Sequence, residues 1–186
     1  MNRRITELKS ELRQLGHQAR NAQSNKEQLS QIICDKFIKQ RAYQQAETVL
    51  WYLHCRSEVR TIDVVSLALT EDKRVVIPYC TKDEEGNNKL GLWRLTDWSE
   101  LEVGTWGILE PRRERWGEHE KETAPEELDL VMVPGVGFDS QGGRIGHGAG
   151  YYDHLLHSVR PDTLLIAVCY ESQVFDEIPM EDHDIY

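Results

Sequence analysis

The stretch Leu128-Asp129-Leu130-Val131-Met132-Val133-Pro134-Gly135 opens a glycine-rich loop that runs to Gly150, and Tyr151 to Val159 follow. Leu128 to Val133 is short, mostly apolar and stopped by Pro-Gly, the pattern of a strand buried on both faces. Tyr151 to Val159 reads as a helix. A strand, a glycine loop and a helix in that order form half of a parallel crossover unit, whose sheet is covered by helices on both faces.

The same alternation recurs on either side. Ile5, Leu8, Leu12 and Leu15 repeat at helical spacing and predict an amphipathic helix over 3–20, with Leu8, Leu12 and Leu15 turned to the core. Ser24-Asn25-Lys26-Glu27 has capping-box form, and Leu29, Ile32, Ile33 and Phe37 continue it as a second helix. Thr48 to Leu53 reads as a buried strand, and Thr61 is placed to cap a helix through Glu71. Val75-Val76-Ile77 is a strand stopped by Pro78. A polar turn over Thr81 to Lys89 leads into a strand at Leu90 to Leu95. Residues 110–127 are charged, contain two prolines and read as an exposed connection; Leu164 to Cys169 reads as another buried strand. The expectation is an α/β chain, a three-layer sandwich with a mostly parallel sheet and a ligand site beyond the carboxyl ends of its strands.

A chain of 186 residues suits one domain, taken as 1–186. Its net charge of −10, from 32 acidic and 22 basic residues, argues against a nucleic-acid or anionic-membrane partner but leaves room for a local phosphate pocket. No apolar run reaches the ~20 residues that span a bilayer. Residues 1–20 lack a signal-peptide core, so the cytoplasm is the expected compartment. Cys34, Cys55, Cys80 and Cys169 form no close pair, which signals neither zinc nor a disulfide framework and leaves them as small buried hydrophobes. The five tryptophans, Trp51, Trp93, Trp98, Trp106 and Trp116, form no stripe.

The loop is the most informative segment. Gly146, Gly148 and Gly150 alternate, so the backbone can turn and approach a ligand without Cβ clashes. Helix-start amides favour an anion there, and Arg144 adds a planar cation suited to phosphate oxygens. No Gly-Lys-Ser/Thr follows, so this is not a Walker A loop. Its last glycine spacing is one short of a dinucleotide fingerprint. A mobile surface loop with glycine turns is the plain alternative.

The run Arg144-x-Gly146-x-Gly148-x-Gly150-Tyr151-Tyr152-Asp153 resembles the signature of the 5-formyltetrahydrofolate cyclo-ligase family, also called methenyltetrahydrofolate synthetases. Val133 to Asp139 resembles the strand and turn before that signature, and Trp106-Gly107-Ile108-Leu109-Glu110-Pro111 the family's Gly-Ile-x-Glu-Pro segment. Lys9-x-x-x-Arg13 and Glu58 fall where the family has them. The resemblance implies a NagB/RpiA/CoA-transferase-like fold. It departs at His183-Asp184-Ile185-Tyr186, where the family continues into a last strand. The expectation is therefore either a truncation or a missing strand.

The activity implied is ATP-dependent closure of 5-formyltetrahydrofolate to 5,10-methenyltetrahydrofolate, with Mg²⁺ and with ADP and phosphate as products. By spacing alone Lys9 and Arg13 are a solvated basic face; by resemblance they contact ATP. Glu58 alone reads as a surface ion pair; by resemblance it contacts the folate. Asp153 alone reads as a helix cap; by resemblance it is a magnesium ligand, with Asp184 a second.

The implied ATP site comprises Lys9, Arg13, Arg144, Gly146, His147, Gly148, Ala149, Gly150, Tyr151 and Tyr152. The implied folate site comprises Leu53, Glu58, Trp106, His147, Gly148, Ala149, Gly150 and Tyr151, and Lys9, Arg144 and Tyr151 are the implied catalytic set. The partners are then small molecules, reduced folate and ATP, bound by a monomer or weak homodimer. A folate- or nucleotide-binding protein without turnover, and a sugar-phosphate isomerase on a similar sheet, are the competing readings; turnover and ATP dependence separate them.

Overall fold

The computed structural model describes residues 2–181 and 184. In chain order the helices are α1 Asn2–Ala22, α2 Lys26–Ile38, α3 Arg41–Gln45, α4 Ile62–Ala68 and α5 Tyr151–Ser158. The strands are β1 Thr48–Leu50, β2 Arg74–Lys82, β3 Asn88–Arg94, β4 Leu101–Val103, β5 Leu109–Pro111, β6 Leu130–Val133, β7 Gly137–Phe138, β8 Arg144–Ile145 and β9 Leu164–Ala167.

Five strands form the central sheet in the order β3-β2-β1-β6-β9. All neighbours are parallel except β2 and β3, which pair as an antiparallel hairpin. Side chains alternate between faces along each strand. Val49, Val75, Leu130 and Met132 pack under α2, α3 and α4, against Phe37, Tyr43 and Val65. Leu50, Val76, Val131 and Val133 point the other way, against Leu155 and Leu156 of α5. This gives the three layers expected from the apolar runs.

Several local expectations are corrected: the Leu164–Cys169 strand is not buried but forms the sheet edge as β9, with Leu164 half-exposed. Pro78 does not stop its strand: β2 runs through it, with Pro78 opposite Leu92 of β3. Pairing with β1 has ended at Val76, so the side of β2 where a proline lacks its N–H carries no ladder. The Thr48–Leu53 strand keeps sheet pairing only to Leu50, and Trp51 to Leu53 continue as buried, irregular chain. Asn25, at φ 53, takes the cap position of α2 in place of Ser24.

The Thr61 hydroxyl does not cap α4. It donates to the Tyr52 carbonyl (2.8 Å) and accepts from the His54 amide (3.1 Å), holding the chain that leaves β1. Part of the 110–127 connection is built in: residues 121–123 run along the edge of β3, bonded at Arg94 and Leu92, and so cover it. Only Cys34 among the cysteines is fully buried. No helix of the described residues is long and apolar enough to cross a membrane.

The largest correction concerns α1. Two of its three leucines do not face the core: Leu8 is 41% exposed and Leu15 51%, while Leu12 is partly buried. The inward face carries Lys9, Arg13, Gly16, His17 and Arg20, and it lies over the β7–β8 hairpin and residues 171–173. The close approach is made at Gly16, where an added Cβ would sit 2.5 Å from the Val136 carbonyl oxygen.

Gly16→Ala therefore sets two effects against each other. Alanine gains about 1 kcal/mol of helix propensity, while forcing backbone apart costs roughly 1–3 kcal/mol. The clash is with main chain, so the variant is expected to melt at a lower temperature than the parent in a calorimetric scan. A melting temperature equal or higher would show that α1 docks with room to spare.

Candidate functional site

At the carboxyl ends of β1 and β6 lies a cavity of about 340 Å³, in the size range of small-ligand pockets. Tyr52, Leu53 and Glu58, from the chain after β1, line one wall, and Pro134-Gly135 after β6 line another. Trp106, Ile108 and Glu110 close a third side, and the glycine loop with Tyr151, Tyr152 and Asp153 forms the roof. The sheet puts the site there because its parallel strands end together and the chain must leave them on that side.

The loop has the geometry its glycines suggest. Gly148 (φ +91) and Gly150 (φ +75) occupy left-handed backbone that side chains disfavour, and Gly150 is the residue before α5. Amides of residues 146–150 donate to no backbone carbonyl among the described residues, so they stay available to an anion. The loop is pinned from outside instead. Asn88 Nδ2 donates to the Ala149 carbonyl (3.0 Å), and Arg13 Nε donates to that of Gly146 (2.8 Å).

Arg144 pairs with Asp153 across the loop. Two buried polar atoms of the cavity wall, Arg144 Nε and the Tyr152 hydroxyl, have no hydrogen-bond partner among the described residues, the mark of a site that a ligand or water completes. Burial, aided by the Glu58 charge, holds the Tyr152 hydroxyl well above its usual pKa, so it stays protonated and able to donate.

Glu58 is not the surface ion pair its sequence context allowed. It is 8% exposed. Its Oε1 accepts from Arg20 Nη1 (3.3 Å) and meets His147 Nε2 (3.3 Å), while Oε2 accepts from the Cys55 amide (2.8 Å). Burial pushes this carboxyl up, but the His147 and Cys55 hydrogen bonds and the Arg20 charge outweigh it and hold the pKa below the usual glutamate value. The His17 ring lies 5.1 Å from that of His147. Burial, then the charges of His147, Arg20 and Arg13, lower its pKa, so His17 is neutral at pH 7.

The other expected residues sort by position. Leu53, Glu58, Trp106 and residues 144 and 146–153 come together around the cavity. Arg13 reaches it through Gly146 and lies 3.6 Å from where a Cβ on Gly148 would be. Lys9 does not line it: its ammonium is held by Glu181 (3.0 Å) and by Asp184. Burial would lower the Lys9 pKa, yet the bonds to those two carboxylates leave it raised. Lys9 and Asp184, expected as a phosphate ligand and a metal ligand, are therefore each other's partners here. His183, Ile185 and Tyr186, the rest of that terminal element, lie outside the described residues.

Among the site residues that escaped the sequence are Arg20 and Glu110. Arg20 was one more polar residue on a helix expected to bury its leucines. Glu110 stood inside a quoted motif with no role. It is 4% exposed, and its two oxygens accept from the Cys80 and Thr105 amides, both at 2.9 Å. It thereby fastens the loop that carries Trp106. That tryptophan has φ +57, is 58% exposed and meets Tyr151 edge-on at 6.0 Å. Left-handed backbone at a bulky residue is a strain that clusters at ligand sites. A buried glutamate before proline was the one available signal for the clamp.

Comparison with known proteins adds the following. Residues 5–186 match the model of the 5-formyltetrahydrofolate cyclo-ligase family. A probable 5-formyltetrahydrofolate cyclo-ligase of Caenorhabditis elegans is 30% identical, over 97% of this chain and 90% of that protein. The 5-formyltetrahydrofolate cyclo-ligase of Mus musculus is 30% identical, over 96% of this chain and 86% of that protein. The solution structure of Aquifex aeolicus 5,10-methenyltetrahydrofolate synthetase superposes with a TM-score of 0.77 at 33% identity, covering 96% of this chain and 86% of that one.

The Glu58 pKa has a consequence for stability. A carboxyl held low in the folded state stabilises it fully above the unfolded value near 4.5, and that stability is lost as pH falls through the lower folded value. Below pH 4.5 the melting temperature of the parent is expected to fall more steeply with pH than that of Glu58→Gln, with both traced by circular dichroism. Parallel curves would show that Glu58 titrates alike in the folded and unfolded chain.

Proposed function

The chain belongs to the 5-formyltetrahydrofolate cyclo-ligase family, and from that premise we propose that residues 1–186 act as one domain converting 5-formyltetrahydrofolate to 5,10-methenyltetrahydrofolate at the expense of ATP. The observation that carries this reading is a juxtaposition. One cavity has a glycine loop with unused amides and Arg144 on its roof, and a buried, ionised Glu58 on its wall. The first suits a triphosphate and the second a ring edge rich in N–H donors.

The chemistry follows from the leaving group. A formamide oxygen leaves poorly, so the γ-phosphoryl group is first transferred to it. That transfer breaks the bond between the γ-phosphorus and its bridging oxygen and leaves ADP. N10 then attacks the same carbon and gives up its proton to water or phosphate, and the C–O bond breaks to release phosphate. The protein's part is to align the oxygen with the phosphorus and neutralise the spreading charge. Arg144, Arg13 and the 146–150 amides bind the triphosphate, and Lys9 joins them by exchanging its carboxylate partners for phosphate oxygens. Tyr151 and Tyr152 flank this roof, the Tyr151 hydroxyl against Cys80 and the buried Tyr152 hydroxyl without a partner among the described residues.

Glu58 accepts from the pterin. An ionised carboxylate has about four acceptor positions, and the three contacts of Glu58 leave one open; a second opens when the half-exposed His147 moves aside. Leu53 and Trp106 supply apolar walls, and His147, Gly148 and Ala149 lie between the two substrates.

Magnesium fits the donor set in one form. Among the described residues no three His, Cys, Asp or Glu side chains gather as a metal cage. Mg²⁺ needs none when phosphate oxygens and water complete its shell around one or two carboxylates. Asp153, half-exposed and with one oxygen on Arg144, would hold it, with Asp184 the second candidate. Bound there, the ion would neutralise charge on the transferred phosphoryl group.

Purified protein is expected to form the methenyl product, followed by its absorbance, only when ATP and Mg²⁺ are both supplied. Product without nucleotide, or no product at all, would end the cyclo-ligase reading. Asp153→Asn is expected to raise the magnesium needed for half-maximal rate and to cut turnover by on the order of 10²-fold while the circular dichroism spectrum stays unchanged. An unaltered magnesium titration would return Asp153 to its pairing with Arg144.

A further inference from the structure

Arg20 is the most deeply buried cation of the site, 2% exposed. It stands at the end of the inward face of α1, three positions beyond His17. Two of its three guanidinium nitrogens, Nε and Nη1, hold three acceptors. Nε donates to Ser57 Oγ (3.1 Å), and Nη1 to Glu58 Oε1 (3.3 Å) and the Gly135 carbonyl (3.4 Å). The next residue supports the same loop, because Ser57 Oγ donates in turn to Asn21 Oδ1 (2.6 Å). Gly135 lies just after β6, in the cavity wall. A single side chain thus ties α1, the loop after β1 and the turn after β6.

We propose that Arg20 is a positioning residue for folate recognition: it fixes the Glu58 carboxylate against the β6 turn and keeps it ionised, without itself touching ATP. The proposal rests on the reading of Glu58 as the folate-binding carboxylate. A lysine would not do the same work. Its ammonium is a point charge, whereas this site is a fork that meets a hydroxyl, a carboxylate and a carbonyl in one arrangement. Removing the charge from a buried pair leaves its partner uncompensated, and the partner responds by taking up a proton. The groups that face Glu58 are Arg20 from α1, His147 from the glycine loop, Tyr152 from α5, Tyr52 from the chain after β1, and His54 and Cys55 from its own loop. Of these Arg20 alone is cationic at every working pH.

The test compares Arg20→Met, Arg20→Lys and Glu58→Gln in steady-state assays with both substrates varied from pH 5 to 8. Arg20→Met is expected to raise the folate KM on the order of tenfold while the KM for ATP changes less than about twofold. Without the guanidinium the Glu58 pKa rises, so the acid limb of kcat/KM for folate moves to higher pH. Arg20→Lys is expected to restore that limb while leaving the folate KM raised, since charge returns and the fork does not. His147 also meets Glu58 Oε1, so the limb is read again in a His147→Gln background, where the Arg20 shift is expected to persist.

A purely structural arginine would lower the melting temperature in both Arg20 variants and move neither the limb nor the ratio of the two KM values, which would overturn the proposal. If Glu58→Gln raises the folate KM and Arg20→Met does not, the Arg20 role falls and the Glu58 reading stands. If Glu58→Gln leaves the folate KM unchanged, both fall. Should Arg20→Met not fold, Arg20→Lys carries the test, and an unchanged folate KM there overturns the proposal.

Discussion

A charge removed from water must find a partner, and the way α1 docks follows from that. The helix has an apolar stripe and a basic one, and only one can lie against the rest of the chain. Burying a leucine side chain fully gains about 1.5–3 kcal/mol. An unpaired buried cation costs several kcal/mol, but a cation with fixed acceptors avoids that cost. The β7–β8 hairpin, the loop after β1 and residues 181 and 184 offer such acceptors at Gly146, Ser57, Glu58, Gly135, Glu181 and Asp184. Half-exposed leucines are the smaller loss, so the basic stripe turns inward and becomes one side of the site.

From this docking the division of labour follows. The central sheet, closed by two apolar layers, is rigid and carries little chemistry. It delivers chain ends to one place: Tyr52 and Leu53 after β1, Pro134-Gly135 after β6. α1 then lies across those ends and holds the parts that could otherwise drift, through Arg13 on the glycine loop and Arg20 on Glu58. Glu110 does the same from the far side for the Trp106 loop. Arg13, Arg20 and Glu110 each also hold a main-chain group, at Gly146, Gly135, and Cys80 with Thr105, through charge-assisted hydrogen bonds.

The roof of the cavity is built for something that is negatively charged and arrives. Backbone amides without backbone acceptors, a buried arginine Nε and a tyrosine hydroxyl without partners among the described residues all belong to residues that line one cavity. The carboxylate of this roof is already paired with a cation, Asp153 with Arg144. The acidic surface, net −10 over the chain, makes this local concentration of cations and amides the more selective.

The sequence by itself determined the layers and the place of the site. Runs such as Leu130 to Val133 admit only a strand covered on both faces, and a glycine loop between such a strand and a helix can only sit at the carboxyl edge. The glycine-tyrosine signature likewise marked most of the cavity roof, because its roles depend on backbone that only glycine adopts. What the tertiary structure decided was which face of α1 looks inward, how Pro78 escapes its usual effect, and where Arg20 and Glu110 go. Those outcomes depend on partners far away in the chain. Periodicity records how side chains are spaced on one helix, and says nothing of whether a carboxylate 38 residues on will be waiting for an arginine.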